Sequence, residues 1–337
     1  MTHARKNASI IFALILLCSC SGKELNSIKP DQPGLIKLAK LEAARVTIDL
    51  KGTAQMTPAI FNANEFVISS GNNRVVYPGS IIKGESLTNF SLNGLYGYSK
   101  PIRVSATIPN TTNRILKNIS APSPTSTIQL VRDLLRNELS GTGSSTQYTY
   151  DVQPFSNYAE VNRFYGYAAN ASNFGTNTIT KATGVMIKFV IRNFTLNVEI
   201  PASGELIDRN IDPTVLNGHV PLYVNSVTYG RMGIVTFETN ENQQIASTLL
   251  NKIFTSPGTF TAGSLTATEK RILDEGNIKM SLNGVNISNG FPGNLPDLIQ
   301  SISQGLTYTP DSPGVPVLFK MRYTSDNSDV IVPFVMQ

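Results

Sequence analysis

The chain has 337 residues, of which 15% are charged and 41% hydrophobic, and it contains two cysteines and no tryptophan. The formal net charge is +5, but the Lys and Arg residues are spread singly rather than in the runs that bind nucleic acid. We therefore expect no nucleic-acid partner. The low charge content and the many Ser, Thr and Asn residues favour a β-rich exported protein over a cytosolic helical one.

The N-terminus has the features of an export signal. Arg5 and Lys6 precede an apolar run at 10–17 that is too short to span a bilayer but has the length of a signal-peptide core. The run ends in Leu17-Cys18-Ser19-Cys20, which resembles a bacterial lipoprotein cleavage site, where a small residue precedes the acylated cysteine. Cys20 is the predicted lipidation site. An ordinary secretory signal with two incidental cysteines is the alternative.

These features predict a signal peptide at 1–19, a polar tether at 20–34 and a folded body at 35–337. The tether contains two prolines and several charges, so it has little to bury. We expect an exported bacterial lipoprotein, anchored to the outer membrane or cell surface or released from it. Both cysteines precede the body, which leaves it without an internal disulfide.

The body combines long strands with a few helices. The run at 185–200 far exceeds the ~5–6 residues of a common strand and ends in apolar–polar alternation, which predicts a tall, bent sheet. Apolar residues recur at helical spacing at 127–139, 243–254 and 268–275. Other strand patterns occur at 66–68, 75–77, 102–108, 222–238, 278–287 and 315–336. The predicted fold class is α+β.

Sequence signatures of catalysis are missing. His219 is the one histidine of the body, and no carboxylate or second histidine stands at ligand spacing from it. Nucleophile elbows, phosphate-binding loops and dinucleotide fingerprints are absent. We expect no catalytic residue, no metal and no cofactor. A hydrolase with carboxylates brought together by the fold is the weaker class of hypothesis.

Three stretches carry a family resemblance. The first contains Tyr77-Pro78-Gly79 and leads to a strand ending in Ile108-Pro109; the second runs from Tyr148 to the long strand ending in Ile200-Pro201. The third contains Tyr229-Gly230-Arg231 and continues to Phe237-Glu238-Thr239. In this order and spacing they resemble the cholesterol-dependent (thiol-activated) cytolysins of the membrane-attack-complex/perforin superfamily, over about four-fifths of the chain.

Two of these motifs also have purely structural interpretations. Tyr77-Pro78-Gly79 suits a tight turn, because Pro fixes φ and Gly permits a positive φ. Tyr229-Gly230-Arg231 suits a bulge or a close backbone approach in a central strand.

The resemblance implies an elongated, bent and twisted central antiparallel β-sheet flanked by two helical clusters. In the family these clusters unfurl into two β-hairpins per subunit that line a large oligomeric barrel. The matching segments here are about 156–183 and 242–275. Because the chain has no Trp and ends at Gln337, we expect a short form without the C-terminal Trp-rich, receptor-binding β-sandwich, and no sterol binding by this chain alone.

Residues of one parity in the first segment are candidates to face lipid in such a hairpin. They are Val161, Tyr165, Tyr167, Ala169 and Ala171. Arg163 interrupts this parity, and at mid-bilayer it would cost ~2–4 kcal/mol. A surface helix or loop is the alternative interpretation.

The resemblance also assigns two residues to assembly. Tyr148 matches the aromatic residue that sets strand register by stacking on a neighbouring subunit, although its counterpart falls near Ile278, which is not aromatic. Gly284 matches one glycine of the pair that lets the edge strand bend away, while Asn283 replaces the other.

The expected partners are therefore membrane lipid and further copies of the chain, with or without a longer cytolysin-like subunit for targeting. The rival hypothesis is a surface lipoprotein that never refolds and serves adhesion or the binding of a glycan or another protein.

Overall fold

The computed structural model describes residues 59–336, apart from 70, 89–90, 109–114, 140, 165–173, 176, 208–210 and 285–294. The predicted signal peptide, Cys20 and the tether lie outside the described residues. The helices are α1 (Pro124–Glu138), α2 (Tyr158–Phe164), α3 (Gln243–Phe254), α4 (Ala267–Asp274) and α5 (Leu295–Gln304), with short 3-10 turns at Gly84–Thr88, Pro213–Leu216 and Ala262–Ser264. The strands are β1 (Ala59–Ala63), β2 (Phe66–Val67), β3 (Ile81–Ile82), β4 (Ile102–Thr107), β5 (Ile115–Ile119), β6 (Gly143–Ser144), β7 (Gln147–Phe155), β8 (Thr183–Val198), β9 (Leu222–Thr239), β10 (Asn277–Asn283), β11 (Thr307–Tyr308), β12 (Val315–Tyr323) and β13 (Val332–Met336).

Within the described residues, nine strands form one antiparallel sheet, and β8 and β9 are its central pair. These two strands change neighbours along their length. Beside 184–192 of β8 lies β7, and beside 232–238 of β9 lies β10; we call this the four-strand region. Beyond it, β4 pairs with β8, and β12 pairs with β9; we call this the wide region. Two-stranded pairs form between β1 and β13 and between β6 and β11.

Side chains of β8 and β9 are buried on both faces of the four-strand region. On face A, which carries Ile187 and Phe237, they pack against the apolar sides of α3, α4 and α5. On face B, which carries Met186 and Ile234, they pack against α2 and its neighbours. This double coverage explains why both strands are almost continuously apolar rather than alternating.

In the wide region only face A is covered by a helix among the described residues. Phe194, Leu196 and Val227 pack there against Val131 and Leu135 of α1. Face B of the wide region instead presents hydroxyl, amide and charged side chains.

Helix starts follow local capping signals. Ser123 caps α1 with Pro124 in its first turn, Asn242 caps α3, and Thr266 forms a capping box with Glu269 at the start of α4. Each cap satisfies backbone N–H groups that a helix leaves unpaired at its N-terminus.

The α+β class and the large antiparallel sheet are confirmed, and the three predicted helices correspond to α1, α3 and α4. The single strand predicted at 315–336 is wrong. A turn around Asn327, whose φ is 60°, separates β12 from β13, and the two strands belong to different sheets. No helix among the described residues combines the length and hydropathy needed to cross a membrane.

Candidate functional site

Two helical segments occupy equivalent places in the four-strand region. The first segment, 156–182, joins β7 to β8, and the second segment, 240–276, joins β9 to β10. In both cases the flanking strands are hydrogen-bonded antiparallel neighbours. Each segment therefore stands where a hairpin tip would stand, and extending both flanking strands into it would change no strand order.

The described part of the first segment lies on face B and is held partly by aromatic packing. Tyr158 is 1% exposed and Val161 is fully buried. The Tyr158 ring stacks on Phe174, with 6.2 Å between centroids and 7° between planes, and lies 5.2 Å from the ring of Phe155.

A buried carboxylate anchors the first segment to β9. Glu238 is 2% exposed. Its Oε1 accepts a hydrogen bond from the Tyr158 hydroxyl at 2.5 Å. Its Oε2 accepts from the backbone N–H and the hydroxyl of Thr180 at 2.6 and 2.7 Å and from the Lys181 N–H at 3.2 Å. We call this arrangement the Glu238 anchor.

The four hydrogen bonds determine the charge state of the anchor. Burial alone would raise the pKa of Glu238, but the bonds from Tyr158, Thr180 and Lys181 outweigh burial and hold its pKa below the ordinary value. Burial and the hydrogen bond to Glu238 together raise the pKa of Tyr158, so the phenol stays a donor. The strand β10 joins the same cluster, since the Lys279 ammonium lies 3.8 Å from the Tyr158 ring centroid and the Asn277 amide donates to the Thr180 hydroxyl at 3.0 Å.

The second segment lies on face A and is held by aliphatic packing. Its buried side chains are Ala246, Leu249, Leu250, Ile253, Phe254, Leu265, Ile272 and Leu273. Two tyrosines of β7 also reach the end of α3. The hydroxyl of Tyr148 donates to the Phe254 carbonyl at 3.0 Å, and the hydroxyls of Tyr150 and Thr255 lie 2.9 Å apart.

These contacts define the surroundings of the predicted register residue. Tyr148 is half-buried and pairs across β7 and β8 with Ile191, and burial raises its pKa. Ile278 lies on the same face at the opposite edge of the four-strand region, where it pairs with Phe237. Within one molecule the two positions are on separate edge strands.

Gly284 directly follows β10 in a left-handed conformation with φ +77°. A Cβ here would lie 2.6 Å from Val315 Cγ2 and 2.8 Å from the Gly230 carbonyl oxygen. The position therefore requires glycine in this state. Beside it, the Asn283 amide donates to the Ile68 carbonyl at 3.0 Å.

Gly230 lies where the two regions of the sheet meet. The pairing of β8 with β9 shifts register between Arg192 and Phe194, opposite Gly230. A Cβ on Gly230 would come within 1.9 Å of the Ile191 carbonyl oxygen, so the strands can approach only because the side chain is missing. The neighbouring Tyr229 ring stacks on Phe194 at 4.9 Å between centroids.

The other motif residues also have structural positions. Arg231 is 7% exposed, and its side chain lies against the backbone at Gly305. Burial lowers the pKa of its guanidinium, and its Nε has no hydrogen-bond partner among the described residues. Tyr77-Pro78-Gly79 forms a turn in which the Ser80 N–H donates to the Tyr77 carbonyl at 2.9 Å, with Gly79 at φ +76°.

Of the candidate lipid-facing residues, only Val161 is described, and it is buried on face B. Tyr165, Tyr167, Ala169 and Ala171 lie outside the described residues. Among the residues that are described, no three His, Cys, Asp or Glu side chains approach closely enough to hold a metal ion.

The sequence places Glu238 in a family motif but did not lead us to predict that it anchors the first segment. The available signal was a carboxylate between Phe237 and Thr239 in a strand that is otherwise apolar, since a buried charge must be matched by donors. The donors themselves stand 57 to 80 residues away along the chain and could not be identified from spacing.

Comparison with known proteins supplies a family assignment. The sequence profile of the thiol-activated cytolysins matches residues 56–333. A search of curated protein sequences finds no significant match.

Solved structures share the fold. The human-specific toxin intermedilysin superposes with a TM-score of 0.64 at 19% identity over 83% of this chain and 63% of its own. Listeriolysin O superposes with a TM-score of 0.65 at 20% identity, over 83% of this chain and 61% of its own. The non-haemolytic pneumolysin from Streptococcus pneumoniae strain ST306 superposes with a TM-score of 0.67 at 18% identity, over 83% of this chain and 63% of its own. The chain thus spans less than two thirds of the length of these toxins.

Proposed function

The chain belongs to the thiol-activated cytolysin family, and from that premise we propose that it forms oligomeric pores in a target membrane. The observation that carries the proposal is the position of the two helical segments. Each one connects antiparallel neighbours of the same sheet. Refolding of both would give four added strand lengths in register with β7, β8, β9 and β10.

The lengths of the segments suit a membrane hairpin. A tilted strand needs roughly 10 residues to cross the hydrocarbon, so a hairpin needs a little more than twenty. The ranges 156–182 and 240–276 both exceed this. In the first segment, Val161, Tyr165, Tyr167, Ala169 and Ala171 would then face lipid.

Oligomerisation follows from the strand edges. Among the described residues, β7 pairs only with β8 and β10 only with β9, so each leaves one edge unpaired. In lipid an open edge is too costly, because no water is present to satisfy its N–H and C=O groups. We propose that β10 of one subunit pairs with β7 of the next, with Tyr148 at this contact and Gly284 as the hinge that frees β10.

We further propose that Cys20 carries a lipid anchor and that target recognition needs a longer cytolysin-like subunit rather than sterol. Both rest on the sequence alone. Dye release from vesicles with and without cholesterol would test the second, since cholesterol-dependent release by the purified chain would refute it.

The refolding step can be tested by tying the first segment to the sheet. The side chains of Thr180 and Asn277 are already hydrogen-bonded at 3.0 Å. A disulfide in the Thr180→Cys/Asn277→Cys variant should abolish dye release when oxidised and allow it after reduction.

The matched control is Ser123→Cys/Ser126→Cys, which joins two hydroxyls 3.0 Å apart in the cap of α1. It should release dye equally well in both redox states. Undiminished release by the oxidised Thr180/Asn277 variant would refute refolding of the first segment. A wild type that releases no dye and stays monomeric on every membrane tried would favour the rival surface-binding lipoprotein.

A further inference from the structure

Face B of the wide region contains a polar cavity that is separate from both helical segments. It has a volume of about 550 Å³, within the range of small-ligand sites. Its floor is formed by β8, β9 and β12, which are hydrogen-bonded to each other and so hold their side chains in fixed positions.

A row of polar side chains crosses this floor in register, and its last member is charged. Asn197 of β8 pairs with Ser226 of β9, which pairs with Lys320 of β12. Neighbours across a sheet stand about 5 Å apart, so the row spans about 10 Å, enough for one sugar ring with its substituents. Next to it, the hydroxyls of Thr195 and Thr228 lie 3.1 Å apart.

Among the described residues, the charges that line the cavity leave one cation without an ion-pair partner. Arg192 forms a two-point contact with Glu65, at 2.9 and 2.6 Å, and Arg322 contacts Asp329 at 2.7 Å. Lys320, between them, forms no ion pair with any described residue. A ligand that carries one negative charge would supply the missing counterion.

The cavity also contains an unsatisfied acceptor. The Asn225 side chain lines it, and its Oδ1 is shielded from solvent without a hydrogen-bond partner among the described residues. Buried acceptors of this kind are rare in folded proteins, because desolvation without a donor is unfavourable. This oxygen is closed to solvent in the present conformation, so a ligand hydroxyl reaches it only if the amide turns, and the site is assigned without it.

We propose that this cavity binds an acidic sugar, with its carboxylate at Lys320 and its ring hydroxyls at Asn197, Ser226 and Thr228. The hydroxyl and amide groups favour a polyol over a simple anion, and the unpaired ammonium favours an acidic sugar over a neutral one. Binding needs no refolding, so the proposal stands whether or not the chain forms pores.

Calorimetric titration of the soluble monomer tests this proposal with glucuronic acid and N-acetylneuraminic acid, against glucose and acetate. At least one acidic sugar should bind at least tenfold more tightly than both glucose and acetate. Lys320→Met should reduce that affinity at least tenfold, and Asn197→Ala about fivefold. Lys270→Met on α4 removes a lysine that likewise has no ion pair with a described residue and does not line the cavity, and it should leave the affinity unchanged.

Three outcomes would overturn the proposal. An affinity for acetate equal to that for the acidic sugars would indicate a simple anion site. An equal affinity for glucose would remove the role of Lys320, and binding of no sugar at all would remove the site. If Lys320→Met does not fold, Asn197→Ala and Lys320→Gln give the same comparison, and unchanged affinity in both would contradict the site.

Discussion

The two helical segments are attached to the same four strands by different physical means. On face B the first segment contributes three buried apolar side chains among its described residues, and a single carboxylate with four hydrogen bonds anchors it. On face A the second segment contributes eight buried apolar side chains and no comparable buried charge among its described residues.

This difference in attachment affects how each segment leaves the sheet. Buried apolar contacts are many and non-directional, so they weaken gradually. A hydrogen-bonded carboxylate depends on a few distances, so losing one donor or the charge affects the whole contact. We infer that losing one donor or the charge of Glu238 is enough to release the first segment from the sheet. Release of the second segment requires that many apolar contacts break.

The largest effect is expected on the second segment. Phe254 is fully buried, 6.1 Å from the ring of Phe189. Phe254→Ala should lower the free energy of unfolding by about 3–5 kcal/mol in urea titration. Hydrogen exchange should rise at 240–276 before it rises at 156–182. Ile245→Ala, on the exposed side of α3, should change stability by less than about 1 kcal/mol. An equal loss of unfolding free energy in Phe254→Ala and Ile245→Ala would contradict the burial of Phe254 against the sheet.

A smaller but more local effect is expected at the anchor. Glu238→Gln keeps the shape of the side chain but places an amide NH2 group among hydrogen-bond donors. It should therefore destabilise the packing of the first segment on the sheet by about 2 kcal/mol. Limited proteolysis should then cut 156–182 faster while 240–276 stays protected. Glu241→Gln removes a half-buried carboxylate that lies 3.5 Å from Arg271 and has no buried donors around it among the described residues, and it should leave both cleavage rates unchanged. Faster cleavage of both segments in Glu238→Gln would remove the distinction between them.

The same anchor predicts a pH dependence. The pKa of Glu238 in the folded chain lies below its ordinary value of 4.5, so its stabilisation is complete above about pH 4.5 and is lost as the pH falls through the folded value. Pepsin digestion at decreasing pH should expose 156–182 before 240–276 in the same sample. In Glu238→Gln the order of cleavage should no longer depend on pH. A wild-type order that is constant with pH would contradict the anchor.

The smallest effect concerns the contact of β10 with the first segment. Lys279 is exposed, and its ammonium lies over the Tyr158 ring. Lys279→Met removes this cation–π attraction and should destabilise the packing of the first segment on the sheet by about 0.5–1 kcal/mol. The effect is small because solvent partly screens the attraction. Lys270→Met is the control on α4. A loss above about 2 kcal/mol at Lys279 alone would show that β10, rather than Glu238, dominates the attachment.

The sequence predicts those features that are local. The continuous apolar runs of β8 and β9 reveal two long central strands, and α3 follows from its apolar spacing. The helix α5 was missed, because Pro296 and the glycines before it resemble a loop. Proline is nevertheless tolerated in the first turn of a helix, where N–H groups are unpaired anyway.

The arrangement of the candidate site is not local and was not predictable. Which face a segment covers depends on strand register, and a shift of one residue would exchange the faces. The donors to Glu238 come from distant parts of the chain, and the polar row Asn197–Ser226–Lys320 joins three strands through register alone.

The central claim is that the first segment becomes an extended strand in the membrane. The most direct measurement places an environment-sensitive dye on single cysteines at successive positions from 177 to 183 in membrane-bound protein. We expect emission to alternate between lipid-like and water-like at every second residue, because side chains of a barrel strand alternate between its two faces. Uniformly water-like emission, or the pattern of the unbound monomer retained on the membrane, would contradict the account.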